Sequence, residues 1–241
     1  MLDLAELGFR LEKIPADPPE DFRLALRDLR DEKKAPLVVD FLSGDKVHRL
    51  KHGLSKNQPI AKAIGMKSGP RFVLDATAGL GVDAFFIAAL GCRVRAIERS
   101  PVVFALLEDG YRRLQLDSEL SLIAGRLSFE QGNAAEYLRK LRQNHDPDAH
   151  PEVVYLDPMY PDEGRSKSAL PKKGMQMFRR LIGDDDDASE VLELALHVAQ
   201  DRVVVKRPLS APVLGYKPNH VFEGKTARFD MYLSASFRER K

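Results

Sequence analysis

From residue 71 to residue 234, short apolar runs rich in β-branched residues alternate with longer segments of helical character, which is how strands and helices succeed one another in an α/β chain. The pattern predicts strands over Arg71 to Ala76, Val94 to Glu98, Leu127 to Glu130, Glu152 to Leu156 and Val203 to Lys206. Between them it predicts helices over Val82 to Leu90, ended by Gly91, over Pro101 to Leu114 and over Ala134 to Arg142. A further helix over Met175 to Ile182 has Met175, Phe178, Leu181 and Ile182 on one face, and another runs from a cap at Asp184 to Asp187 as far as Gln200. Asn219 to Glu223 and Arg228 to Ser234 read as a closing hairpin. The expected fold is therefore α/β, a doubly wound and mostly parallel sheet with a terminal antiparallel hairpin.

The first part of the chain lacks this rhythm. Pro-rich and charged stretches predict a helix over Pro19 to Lys33. Leu37 to Leu42, the turn Ser43 to Asp45 and Lys46 to Leu50 then predict strand, turn and strand. Residues 1–55 are expected to form a small N-terminal subdomain, and residues 56–241, entered through a short helix from Pro59 to Ile64, the main domain.

Composition narrows the class. With 241 residues, 44% of them hydrophobic and 31% charged, the chain can bury a sizeable core and is not disordered. Its longest apolar run, Ala84 to Leu90, is far short of the roughly 20 residues that span a bilayer. The N-terminus mixes acids among its apolar residues and has no basic n-region, so no secretory signal is read there. Cys92 is the single cysteine and has no internal disulfide partner, so a cytoplasmic protein is expected. The six histidines are scattered, and no metal is expected. The run Asp184 to Asp187 is read first as offsetting a helix dipole, with a metal site as the lesser alternative.

A net charge of +2 says little, but its distribution says more. Seven Lys and Arg lie between Lys46 and Leu74, and six between Gly164 and Gly183, with no acid in either block. Each is a solvated face or a surface for a polyanion.

The chemistry gathers at strand ends, where open α/β sheets bind their ligands. After the first main-domain strand stands Asp75-Ala76-Thr77-Ala78-Gly79-Leu80-Gly81-Val82-Asp83-Ala84. Gly79 and Gly81 would let backbone approach a ligand at a helix N-terminus, or simply make a tight turn. Asp75, at the strand end, would repel a pyrophosphate and suits an ammonium or sulfonium group. This makes a nicotinamide dehydrogenase the least favoured reading. Glu98 ends the second strand, where an acid accepts hydrogen bonds from ribose hydroxyls; alternatively it pairs with Arg99 on the surface. Asn133 follows the third strand and is placed to reach a base or to cap the next helix. An amino acid, a ribose and a base together specify S-adenosyl-L-methionine.

The fourth strand runs into Leu156-Asp157-Pro158-Met159-Tyr160-Pro161. Asp157 and the carbonyl of Pro158 can accept hydrogen bonds from an exocyclic amine of a nucleobase, orienting its lone pair and favouring positive charge as it develops. Pro158 restricts the backbone, and Tyr160 offers a face for stacking. A proline-rich turn with an incidental aspartate is the alternative. Lys172, Lys173, Lys206 and Arg207 follow the fourth and fifth strands and are candidates for phosphate contacts. Cys92 is expected to be inert.

The stretches DATAGLGVDAF, GCRVRAIERSPVV, VVYLDPMYP, KSALPKKGMQMF and RVVVKRP together resemble the small-subunit ribosomal RNA guanine-N2 methyltransferase family, J type. The resemblance spans about Leu37 to Ser234. It implies a class I methyltransferase fold with an extra N-terminal region, and methyl transfer to a guanine N2 of 16S-type ribosomal RNA, free or within the small ribosomal subunit. It also implies that Val82, Asp83, Glu98, Arg99, Asn133, Ala134 and Asp157 fall on cofactor positions. This chain has Val82 where some members carry arginine, and Asn133-Ala134 where some carry two serines. Two rivals remain open at this level. One is an adenine-N6 DNA methyltransferase, whose target amine the same clamp would serve. The other is a non-catalytic RNA-binding assembly factor on the same scaffold.

Overall fold

A computed structural model describes residues 4–16, 22–44, 47–48, 50, 54–159, 180–183, 185 and 187–235. Its centre is a seven-stranded sheet made of β3 (Phe72–Asp75), β4 (Arg93–Glu98), β5 (Leu127–Gln131), β6 (Val153–Leu156), β7 (Arg202–Pro208), β8 (His220–Glu223) and β9 (Ala227–Leu233). The order across the sheet is β5-β4-β3-β6-β7-β9-β8. The pairings among β5, β4, β3, β6 and β7 are all parallel, whereas β9 runs antiparallel to both β7 and β8. The closing hairpin is present, but its second strand takes the place beside β7 and leaves β8 as the edge.

Both faces of the sheet are covered, which is why β6 (Val153–Leu156) is apolar along its whole length and buried throughout. On one face lie α1 (Pro59–Ala63), α2 (Val82–Ala89) and α3 (Pro101–Leu116), with buried Phe85, Ile87, Leu106 and Leu107. On the other lie α5 (Ala134–Arg142) and α6 (Ala188–Val198), with Leu138, Leu192 and Ala195. A single turn, α4 (Ser121–Ala124), precedes β5. The chain lays β3, β4 and β5 outward in one direction, then crosses back to β6 and β7. The order therefore reverses between β3 and β6, where the strand ends part and a ligand crevice opens.

The N-terminal region departs from expectation. In place of a helix over Pro19 to Lys33, β1 (Phe9–Pro15) and β2 (Phe22–Asp28) form an antiparallel pair in register Phe9 with Asp28 through Pro15 with Phe22. Proline at the first position of a helix is tolerated, so Pro19 does not decide the outcome; the partner strand does, by supplying a ladder that no local propensity reveals. Phe9 and Leu26 are buried in the same core as α2 and α3.

The expected strands from Leu37 to Leu50 are also replaced. Leu37 makes only an isolated bridge to Leu26, and residues 44, 47, 48 and 50 are helical. Side chains satisfy this segment where a ladder does not. Arg113 of α3 donates to the Val39 carbonyl, and Phe41 stacks on Phe85 with ring centroids 5.1 Å apart. Of the helix expected over Met175 to Ile182, residues 180–182 are helical and 175–179 lie outside the described residues. Among the described residues, no helix is long and apolar enough to cross a membrane.

Candidate active site

The carboxyl ends of β3, β4, β5 and β6 open into one cleft. Asp75, Ala76, Gly79, Val82, Asp83, Glu98, Arg99, Asn133, Ala134, Asp157, Pro158 and Lys206 all line it. Gly81 does not. It is the N-cap of α2, and a Cβ there would meet Leu107 Cδ1 at 2.6 Å and Phe41 Cζ at 3.0 Å. Gly79 and Gly81 have φ of 53° and 71°, left-handed backbone that side chains other than glycine rarely adopt. These two glycines bend the loop between β3 and α2 tightly enough for Gly79 to border the cleft.

At one end of the cleft three carboxylates gather around a single cation. Lys206 Nζ lies 2.7 Å from Asp83 Oδ2 and 2.8 Å from Asp157 Oδ2. Tyr155, fully buried in β6, donates its hydroxyl to Asp83 at 2.7 Å. Asp75 is 1% exposed, and its Oδ1 accepts from the Thr77 amide at 3.0 Å. Thr77 also accepts from the Asp157 amide at 2.6 Å, which ties the end of β6 to the loop after β3.

Burial pushes the Asp75 carboxyl up to about 8, aided by the charges of Asp83 and Asp157 and opposed by the Thr77 amide. Burial also raises the Asp157 carboxyl; Lys206 pulls it down and Asp83 pushes it up, leaving it above the ordinary value. For Lys206, burial works against the cation, but Asp157 and Asp83 outweigh it and hold the ammonium above its usual pKa. Three carboxyl groups thus share one lysine, and the Asp75 carboxyl, pushed up to about 8, gains its charge readily only when a further cation approaches. The residues present therefore fit a ligand that brings positive charge, as the sulfonium and ammonium of S-adenosylmethionine do.

Further along, Glu98 is 5% exposed and so is no surface acid paired with Arg99. Its two oxygens accept from the Gly79 amide at 2.9 Å and the Ser100 amide at 2.7 Å. Burial raises its pKa, and the two amide bonds oppose the shift. Glu98 thus braces the glycine loop while facing the cleft. Asn133 caps α5, accepting from the Glu136 amide at 3.1 Å, and borders the cleft as well. Ile97, Leu156 and Val191 supply apolar walls, suited to a flat base.

Several functional neighbours were hidden from the sequence. Tyr155 and Thr77 gave no motif of their own, and their roles come from the pairing of β3 with β6. Asp185, read as one of four acids at a helix start, instead accepts from the Met159 amide at 2.6 Å and pairs with Arg99 Nη2 at 2.6 Å. It bridges the loop after β6 to the end of β4. Among the described residues, no three His, Cys, Asp or Glu gather into a metal-holding group.

The expected phosphate contacts need correction. Lys206 points into the cleft and is engaged by two carboxylates, so it is no open surface cation. Arg207, the next residue on β7, is 4% exposed and donates through Nε and Nη2 to the Pro212 carbonyl at 3.2 and 3.0 Å. Successive side chains on a strand face opposite sides of the sheet, so the two cannot serve one surface. Tyr160, Lys172 and Lys173 lie outside the described residues. Cys92 is buried against Met66, its thiol pushed up by burial, as expected of an inert cysteine.

Comparison with known proteins bears on the family and the fold. A family model described as "Putative SAM-dependent methyltransferase" matches residues 13–234. A Ribosomal RNA small subunit methyltransferase J from Ectopseudomonas mendocina is 50% identical over 215 residues, covering 88% of this chain and 80% of that protein. One of the same name from Dechloromonas aromatica is 49% identical over 217 residues, covering 89% and 86%. The crystal structure of a SAM-dependent methyltransferase from Neisseria gonorrhoeae superposes with a TM-score of 0.69 at 38% identity, covering 88% of this chain and 80% of that one. The family model and these relatives, matched over most of the chain, show that this protein belongs to the S-adenosylmethionine-dependent methyltransferase family of the small-subunit ribosomal RNA methyltransferases J.

Proposed function

We propose that this protein transfers a methyl group from S-adenosylmethionine to the exocyclic N2 amine of a guanine in small-subunit ribosomal RNA. The observation that carries the reading is Asp157, which ends β6 inside the cleft, tied by its amide to Thr77 and by its carboxylate to Lys206. Its side chain is nevertheless 41% exposed, which leaves it accessible to a substrate amine.

The bound cofactor supplies an electrophilic methyl group on a sulfonium. Asp75 and Asp83 hold the cationic end, Glu98 accepts from the ribose, and Asn133, Ala134 and Val82 border the base. Asp157 and the carbonyl of Pro158 accept hydrogen bonds from the target amine, whose lone pair is otherwise delocalised into the ring. As the amine nitrogen gains positive charge, the Asp157 carboxylate stabilises it and can take its proton. Lys206 favours the ionised form of Asp157 against the opposing effects of burial and Asp83. Asp185 holds the Met159 amide, and so the orientation of Pro158, relative to Arg99. Met159 lines the cleft beside them.

Nucleoside mass spectrometry tests the reading. Unmodified 16S ribosomal RNA or small subunits, incubated with the protein and S-adenosylmethionine, should gain N2-methylguanosine. Methylation appearing on adenine, or on DNA, would refute it.

A further inference from the structure

The loop joining β7 to β8, residues 209–219, carries three of the five large apolar side chains that the described residues leave exposed: Leu209 at 46%, Val213 at 45% and Tyr216 at 53%. Isolated exposed apolar residues are ordinary, but several on one short loop mark an interaction surface. The loop is not loosely held. Arg207 donates two hydrogen bonds to the Pro212 carbonyl. Arg228, buried and paired with Asp230, donates to the carbonyls of Pro208 at 3.2 Å and Leu209 at 2.8 Å. The Tyr232 hydroxyl donates to the Leu214 carbonyl at 3.2 Å. Three side chains beneath the loop thus bind four of its carbonyls or those flanking it, while its apolar side chains are presented outward. A rigid surface loses little freedom when a partner docks.

The loop's position beyond a cleft-lining strand and its lack of acids suit a polyanionic partner. It begins three residues after Lys206, which lines the cleft, and follows the carboxyl end of β7, the same side of the sheet as the end of β6. The loop itself, residues 209–219, contains Lys217 and no acid, whereas Lys206 and Arg207 before it are engaged by Asp83, Asp157 and the Pro212 carbonyl. Lys217 is exposed and has no ion-pair partner among the described residues. An exposed tyrosine beside an exposed lysine on a held loop suits the stacking of unpaired bases. The need for one follows from the chemistry, because a base must leave its stack to bring an exocyclic amine to Asp157, which exposes the faces of its neighbours.

We propose that the β7–β8 loop is an RNA-binding platform on which Tyr216, flanked by Leu209 and Val213, stacks unpaired nucleotides next to the target while Lys217 contacts phosphate. This rests on the proposed RNA substrate, so the experiment reads binding and catalysis separately. Binding of an unmodified 16S transcript and of small subunits is measured for the wild type, Tyr216→Ala, Tyr216→Phe, a Leu209→Ser and Val213→Ser double variant, and Lys217→Ala. Photocrosslinking from position 216 is run on the same particles.

Tyr216→Ala should weaken RNA binding by about 10-fold, and Tyr216→Phe should restore it. Lys217→Ala should flatten the salt dependence. S-adenosylmethionine affinity and the melting midpoint should not move, because these side chains are exposed and outside the cleft. Position 216 should crosslink to ribosomal RNA. Transcript binding within two-fold of wild type for both Tyr216→Ala and the double variant would overturn the platform, as would a crosslink to ribosomal protein alone. If the variants lose RNA binding yet the wild type methylates no guanine, the loop stands and the proposed reaction falls.

Discussion

Asp157 and Lys206 show how one residue's chemistry depends on another that is distant in sequence. Asp157 could be read from its place before Pro158 at a strand end, but the cation that favours its ionised form lies 49 positions away and meets it at 2.8 Å. Asp157→Asn keeps the shape and one acceptor oxygen but removes the negative charge that steadies the amine. It should retain cofactor binding and lose methyl transfer by on the order of 100-fold, measured in single turnover with saturating RNA. A wild-type rate would reduce the aspartate to part of a turn. Lys206→Met should act through pH. Without the ammonium, Asp83 and Asp157 repel each other and the raised Asp157 pKa rises further. The acidic limb of the rate profile should then move to higher pH, with activity recovering as pH increases. A profile parallel to wild type would show that Lys206 serves only the fold.

At the scale of elements, the loop from β3 into α2 is the most constrained piece of the site. Gly81 combines left-handed backbone with a core contact, and Glu98 of β4 fixes Gly79 from the neighbouring strand. Gly81→Ala adds a methyl where Leu107 and Phe41 already sit. The backbone strain and overpacking together should cost about 2–4 kcal/mol, lowering the melting midpoint by roughly 5–15 °C. Calorimetry or thermal denaturation checks this, and an unchanged midpoint would mean that the loop relaxes freely. The strands and helices after residue 70 were legible because each carries its own signal: the apolar run of β6, Ser100 and Pro101 opening α3, Asn133 opening α5. β1 and β2 were not, since FRLEKIP and FRLALRD become strands chiefly by pairing with each other. Residues 37–41 misled for the opposite reason. Their apolar character suits a strand, but Val39 and Phe41 plug the core against α2 and α3 instead.

For the molecule as a whole, the surplus of buried carboxylate links protonation to both stability and binding. Asp75 titrates at about 8 in the folded chain, against 3.8 for the free side chain. Between those values the folded state holds more protons than the unfolded state, so this group makes stability fall as pH rises from about 4 to about 8. A cationic ligand beside Asp75 favours its ionised form. S-adenosylmethionine binding near pH 7 should therefore release protons, and Asp75→Asn should abolish most of that release. Titration calorimetry in buffers of different ionisation enthalpy measures it; no buffer dependence in the wild type would place the ammonium elsewhere. The sequence by itself determined the α/β alternation, the glycine turn and the strand-end residues Asp75, Glu98, Asn133 and Asp157, because these depend on local periodicity and on turn chemistry within a few residues. Only the tertiary structure decided that Lys206 enters the cleft while Arg207 turns away to hold a loop, that Asp185 joins the two halves of the site, and that Tyr155 and Thr77 brace it. Those roles arise where parallel strands remote in sequence lie side by side, and which face a residue takes, or which charge it meets, is fixed by the register between strands.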